Sequence, residues 1–293
     1  MIDFNKIRRY SIHERKSKIS IVDLVNLGKQ VHFPDTISKK DFDIVIKKIK
    51  NAKNEKRQII WGIGAHVIKC GLSLYIIELM KNGFITCIAT NGAAAIHDSE
   101  IALFGKTSEY VEEAIKDGSF GFCEETGKFI NNAIVNGVKK GYGYGKSIGK
   151  AIIDSNAKYI NYSIFANAVK YKIPITVHVA IGTDITHMHP ECDGAAIGKT
   201  SYDDFKTFCE VVTKLDGGVY LNVGSAVILP EVFLKSVSVA RNLKRLKNFT
   251  TVNIDFKKLY RPEQNVVKRH DGYSFIEKYE IMIPLITNAL LKL

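Results

Sequence analysis

Apolar residues in this chain come in two alternating patterns. Short, nearly continuous apolar runs at 58–63, 84–90, 173–181, 218–223 and 250–256 read as β-strands. Between and around them, apolar side chains recur at three- and four-residue spacing. Val67, Leu74, Ile77 and Met80 mark a helix over 67–81, and further helices are expected at 21–28, 39–53, 109–115, 123–139, 162–170, 230–243 and 281–291. Strands without polar alternation must be buried on both faces. Together with intervening amphipathic helices this predicts an α/β fold: a doubly wound, mostly parallel sheet of Rossmann type with helices on both faces. Residues 1–56 read as a basic arm with helices packed on the core, and 57–293 as a single α/β domain of nucleotide-binding type. The spacing leaves the sheet order open beyond a sequential guess.

The strand ends carry the polar and small residues. They are Gly64, Ala65 and His66 after the first, Asn91, Gly92, His97 and Asp98 after the second, and Gly182, Thr183 and Asp184 with His187 and His189 after the third. Asn222, Gly224, Ser225 and Glu231 follow the fourth; Asp255, Tyr260 and Arg261 follow the fifth. Ligands of open α/β sheets bind beyond the strands' carboxyl ends, where glycines let them approach the backbone and helix N-termini offer amides to phosphate.

The segment 176–198 is the densest in ionisable groups, with His178, Asp184, His187, His189, Cys192 and Asp193. Two readings stand side by side. The group is one wall of a nucleotide crevice, or its histidines and cysteine hold zinc together with His66 or His97, although no four-cysteine or His-Glu-x-x-His spacing is present. His178 alternates with Val177 and Val179 and reads as a structural histidine. The run 141–149, Gly-Tyr-Gly-Tyr-Gly-Lys-Ser-Ile-Gly, resembles a phosphate loop but lacks the leading glycine and follows a helix, so a flexible helix-to-helix connection is expected.

Composition adds exclusions. The formal charge of +12 is spread along the chain without basic stretches interleaved with aromatics, which argues against nucleic acid. Five cysteines without CxxC spacing fit reduced thiols, and no segment has the apolar length of a membrane span or signal-peptide core. A cytoplasmic protein without membrane partners is expected.

The strand-end motifs, in order, resemble those of the deoxyhypusine synthase family over roughly 59–291. Gly64-Ala65-His66 stands where that family has a cofactor-touching Thr-Ser-Asn turn. The segment 90–98, with Thr90, Asn91, Gly92, His97 and Asp98, resembles its Thr-Thr-Ala-Gly-Gly-Val-Glu-Glu-Asp, and Gly182-Thr183-Asp184 its Leu-Thr-Asp. Gly224-Ser225 is similar to its glycine run, and Arg261-Pro262-Glu263 to its Arg-Pro-Asp. Where the family carries its imine-forming lysine motif, this chain has Lys268-Arg269-His270, with His270 at the lysine's place. The resemblance implies an NAD-dependent enzyme that oxidises or transfers a group on an amine-bearing small substrate, other than deoxyhypusine synthesis itself. It also implies a homotetramer with sites between subunits.

On that reading Gly64, His66, Thr90, Asn91, Gly92, Thr183, Asp184, Gly224, Ser225 and Asp255 hold NAD. Asp98, Asp184 and Glu231 orient the substrate, His97, His187 or His189 supplies acid–base chemistry, and Lys268 or His270 stands near the lost lysine. A non-catalytic nucleotide-binding module and a metal-dependent hydrolase are the alternatives.

Overall fold

The computed structural model describes residues 2–292. The strands are β1 (Ser17–Ser20), β2 (Ile59–Ile63), β3 (Cys87–Asn91), β4 (Lys106–Glu109), β5 (Ile175–His178), β6 (Val219–Val223), β7 (Thr250–Asp255) and β8 (Tyr273–Ile276). The helices are α1 (Lys39–Asn54), α2 (His66–Lys69), α3 (Ser73–Lys81), α4 (Gly92–Phe104), α5 (Val111–Asp117), α6 (Glu124–Lys139) and α7 (Tyr144–Asp154). They continue with α8 (Ile164–Lys170), α9 (Gly194–Val212), α10 (Ile228–Asn242), α11 (Tyr260–Pro262) and α12 (Tyr279–Leu291).

Six strands form one sheet in the order β5-β3-β2-β6-β7-β8, every neighbouring pair parallel. Counted along the sheet's own strands this is 3-2-1-4-5-6, the order of dinucleotide-binding folds, and it reverses between β2 and β6. The α/β, doubly wound reading is therefore correct, and the sheet order replaces the sequential guess. β1 and β4 lie outside it as a two-stranded antiparallel ribbon.

Both faces of the sheet are covered. Ile59, Trp61 and Ile63 of β2 join the larger core with α1, α3 and α12, while Ile60 joins Phe208 of α9 and Phe233 of α10 on the other face. α1 shows how the local pattern works: Ser38 caps its first turn by accepting from the Asp41 amide, and Phe42, Val45, Ile46 and Ile49 make one buried stripe.

Several elements depart from the sequence reading. The helix expected at 67–81 is two, because Gly71 takes a left-handed φ of 72° between α2 and α3. The segment 21–28 is only a 3₁₀ turn, Ile21–Asp23. The expected helix start at 109 is the end of β4, whose Thr107 and Ser108 are buried by tertiary contacts.

The glycine run at 141–149 is not a flexible connection: it starts α7. The Asp204 carboxylate accepts the Gly145 amide at 2.8 Å and the Val177 amide at 2.7 Å, so a side chain of α9 already occupies the anion position at this helix N-terminus. Burial pushes Asp204 up to about 7.

Candidate active site

The topological switch point is built by backbone. Gly64 donates its amide to Val223 O at 2.8 Å, and Gly224 donates to Ile254 O at 3.0 Å while itself in a left-handed conformation, φ 71°. A Cβ on Gly64 would stand 2.1 Å from Gly224 O, so only glycine permits this approach. Thr90 ties the neighbouring strand end in by donating to Ile63 O at 2.7 Å. Asp255 accepts from the Tyr279 hydroxyl at 2.8 Å, and His66 lies beside Phe256 and Tyr279 with ring centroids 6.2 and 6.4 Å apart. Ile181, Val227, Phe256 and Tyr260 stand exposed on the loops after β5, β6 and β7. The crevice mouth thus has a glycine floor and an apolar rim.

Beside it, a cavity of about 250 Å³ opens between α2, α4, β4 and the loop after β5, and its wall includes Lys69, Ala93, His97, Glu100, Thr183 and Asp184. Asn91 caps α4 by accepting from Ala94 N at 3.0 Å, and Asp184 presses against Gly92, where a Cβ would come within 1.9 Å of its Oδ2. Asp184 Oδ2 is buried without a hydrogen-bond partner, and burial lifts the carboxyl to about 6.

His97 has a defined tautomer. Thr107 has one hydroxyl proton and donates it to Glu100 Oε2 at 2.6 Å, so its 2.7 Å contact with His97 Nδ1 must be a bond that the imidazole donates. That leaves the Nε2 lone pair to the cavity side. Burial holds the ring down at about 4, and Glu100 pulls the other way, so His97 is a neutral base at pH 7. Glu100 is tied in turn by Arg15, whose guanidinium meets it bidentately at 2.6 and 2.9 Å, both side chains almost fully buried. Lys69, in contrast, makes no ion pair among the described residues.

His187 is fixed differently. Its Nδ1 accepts from the Gly182 and Asp184 amides at 3.1 and 3.3 Å, so the proton sits on Nε2, 3.9 Å from Asp184 Oδ2. Thr183 exposes its hydroxyl at the same loop and donates to Ala180 O at 2.7 Å.

The other expected site residues are engaged elsewhere. Asp98 points away from the crevice: it accepts from the Ser163 hydroxyl and the Ile164 and Phe165 amides at the start of α8, and burial lifts it to about 7. It anchors a helix. Because the folded state holds this proton up to about 7 while the unfolded chain releases it near 3.8, Asp98 makes stability fall as pH rises from 4 to 7. Asp98→Asn should remove that contribution, so the difference in urea midpoint between variant and wild type should shift in the variant's favour from pH 5 to pH 8.

His189 donates Nε2–H to Gly121 O at 2.8 Å and packs against Gly127, so it faces α6. With His187 and His189 bonded in different directions, and no group of three His, Cys, Asp or Glu side chains gathered to hold a metal among the described residues, the chain does not present the donor set of the zinc reading. Asp193 caps α9 by accepting from Ala195 and Ala196, and His178 bonds Thr176 at 3.0 Å inside the sheet, held down at about 3 by burial. Ser225 accepts from Leu229 N at the start of α10. Glu231 is paired with Lys235 and Arg261 and bonds Asn265.

Lys268 and His270 are corrections. They form a 3₁₀ turn immediately before β8, at the amino edge of the sheet, where His270 packs against Phe233 and Phe249 at 5.8 and 5.1 Å. The crevice lies at the other edge, five or six strand residues away, roughly 16–20 Å at 3.3 Å per residue. Within one chain, neither reaches the crevice to stand in for an imine-forming lysine. Conversely, Arg15, Lys69, Glu100 and Thr107 were not foreseen. Glu100 was within reach, three residues after His97 on the same helix face; nothing local marks Arg15.

An open α/β sheet in dinucleotide-fold order, with a glycine-built switch point and a cavity lined by His97, Glu100 and Asp184 beside it, defines the class. The family model of the C-terminal Rossmann-fold domain of arginine dihydrolase ArgZ-like proteins matches residues 43–184. Among solved structures, the chain is 16% identical to ArgZ, an arginine dihydrolase of the ornithine-ammonia cycle in cyanobacteria, with a TM-score of 0.54 over 88% of this chain and 33% of that one. It is 14% identical to AgrE solved with ornithine and NAD⁺, with a TM-score of 0.56 over 87% of this chain and 34% of that one. A protein of Entamoeba histolytica assigned as a deoxyhypusine synthase is 14% identical, with a TM-score of 0.54, covering 87% of this chain and 88% of that one. No curated protein sequence matches the chain. The chain thus spans about a third of the ArgZ and AgrE chains. Its remote relation to them and to the deoxyhypusine synthase group holds at the level of the fold.

Proposed function

We propose that this chain binds NAD at the β2/β6 switch point and catalyses oxidation or group transfer on an amine-bearing small substrate held in the adjoining cavity. The observation that carries the reading is the contact of Gly64 with the Gly224 carbonyl at the reversal of strand order, where a pyrophosphate can approach bare backbone. The bound NAD⁺ of AgrE, a fold relative, supports it.

The residues present fit a dinucleotide. The small floor at Gly64 and Gly224 admits the phosphates, Asp255, buried at the end of β7 and bonded to Tyr279, would need a small rearrangement to accept from a ribose, and the exposed Phe256 and Tyr260 offer rings for stacking. NAD supplies hydride acceptance when bound. The chain's own groups do the rest. Asp184, its Oδ2 without a protein donor, accepts from the substrate's ammonium and orients it, and the free Lys69 ammonium meets an anionic group of substrate or cofactor. His97 Nε2 accepts the proton that leaves as the substrate's amine is oxidised. The imidazolium that forms is stabilised through Thr107 by Glu100, which Arg15 holds in place.

Calorimetry tests the cofactor: NAD⁺ should bind the wild type, and no binding at millimolar cofactor sinks the reading. Asp184, lifted to about 6, must lose its proton to hold an ammonium, so turnover of an amine substrate should fall about tenfold per pH unit below 6. In Asp184→Asn that limb should vanish and kcat/KM should drop by about 10²–10³, the value of a lost charged hydrogen bond in a buried site.

A further inference from the structure

Arg15 and Glu109 form a partition. On one side is the cavity just described; on the other, beneath the N-terminal arm, lies a second of about 410 Å³ lined by Tyr10, Glu14, Lys16, Tyr110, Glu113 and Asp117. Charge does not balance at the partition. Arg15 is committed to Glu100 by two hydrogen bonds and stands 3.7 Å from Glu109 Oε1. One buried guanidinium therefore faces two buried carboxylates, and His97, neutral at pH 7, adds no positive charge beside them.

Glu109 has a side chain only 6% exposed. Its Oε2 accepts the Gly121 amide at 3.0 Å, but Oε1 is buried with no group in hydrogen-bonding geometry. A buried carboxylate with one oxygen lacking a hydrogen bond and only a shared guanidinium at 3.7 Å is incompletely compensated, and a further cation would complete it. Across the lining, four carboxylates (Glu14, Glu109, Glu113, Asp117) face two cations, one of them already paired. Tyr10 leans on Glu109, which together with burial raises its hydroxyl pKa.

We propose that this outer cavity is a binding site for a small organic ammonium ion, seated on Glu109 Oε1 between the Tyr10 and Tyr110 rings with the rim carboxylates of Glu14, Glu113 and Asp117 around it. The space and the Tyr10 ring suit an alkylammonium, with Tyr110 contributing the ring face that Lys18 Nζ, 5.1 Å from its centroid, does not cover; a bare metal ion would need several converging ligands, and among the described residues no three His, Cys, Asp or Glu side chains provide them. The site is independent of the nucleotide crevice.

The test is calorimetric titration of the full chain with 1,4-diaminobutane and with n-butylammonium chloride, with MgCl₂ as control. Saturable amine binding is expected in the wild type, weakened at least about tenfold by Glu109→Gln, whose amide oxygen can still accept from Gly121. Glu113→Gln, an exposed rim change that leaves the fold untouched, should weaken it about threefold. NAD⁺ affinity is measured in the same variants, so failure of the nucleotide reading shows separately. Absence of saturable amine binding, equal amine affinity in wild type and Glu109→Gln, or binding of Mg²⁺ in preference to the amines would overturn the proposal. If Glu109→Gln does not fold, unchanged amine affinity in both Glu113→Gln and Asp117→Asn overturns it.

Discussion

Arg15→Met should cost about 3–5 kcal/mol of stability, the range for removing one partner of a buried, hydrogen-bonded ion pair. Arg15 reaches from the N-terminal arm to Glu100, and both side chains are sealed from water at 4% and 2% exposure. Methionine fills the space of the aliphatic stem but leaves Glu100 with only the Thr107 and Thr126 hydroxyls as donors. Equilibrium urea unfolding checks the size of the loss. Part of it should return in the double variant Arg15→Met, Glu100→Met, because the stranded charge has gone with its partner. A loss below about 1 kcal/mol for the single variant would mean that the pair is not closed to solvent. His97 should respond as well: with Glu100 no longer held, the hydrogen-bond chain through Thr107 loses its anchor, and amine turnover should fall more than NAD⁺ affinity does.

Gly64→Ala should destabilise the chain by about 1–3 kcal/mol, as overpacking of a close backbone contact does, and lower NAD⁺ affinity at least about tenfold. The added methyl would lie 2.1 Å from Gly224 O, and neither strand end can yield: Gly64 N is bonded to Val223 O and Gly224 N to Ile254 O, all in the central sheet. The control is Gly198→Ala on α9, where a Cβ meets nothing within 4 Å and helix propensity favours alanine by about 0.5–1 kcal/mol. If both alanine variants bind NAD⁺ as the wild type does, the switch point is not the cofactor site.

The elements that local pattern determines were legible in detail. The runs 58–63, 218–223 and 250–256 contain strands observed at Ile59–Ile63, Val219–Val223 and Thr250–Asp255, because a strand buried on both faces cannot be written with polar alternation. α6 and α10 were found within two residues at each end, since their apolar stripes and charged outer faces follow helical spacing. α9 was missed, for its first turns mix Gly, Ala, Lys, Thr and Ser around one large apolar residue, Ile197, and its buried face includes the polar Thr200 and Asp204 before Phe208, Cys209 and Val212. β8 was missed because only Phe275 of its four residues is buried, a pattern that reads as loop until its pairing with β7 is known.

The site divides in the same way. That strand ends would converge followed from the fold class alone, and it placed His66, Gly92, Asp184 and Gly224 at the correct edge of the sheet. Residues on connections between strands were the unsafe ones. A crossover returns the chain from the carboxyl edge to the amino edge, and Lys268 and His270 sit at the end of one. Counting positions from a family motif cannot tell which edge such a residue has reached.

Sequence by itself determined the α/β class, because strand burial and helix amphipathicity are properties of nearest neighbours along the chain. It also determined which strand ends carry small and ionisable residues. Tertiary structure decided which side chains those residues meet. His97 became a base with a defined tautomer because Thr107 and Glu100 lie across from it, Asp98 a helix anchor because α8 begins there, and Asp204 the occupant of the anion position at α7. Arg15, 85 residues from Glu100 along the chain, reaches it only because the β1–β4 ribbon brings the N-terminal arm across α4. A hydrogen bond or ion pair depends on two groups meeting within about 3 Å, and for residues so distant in sequence only the folded chain sets that distance.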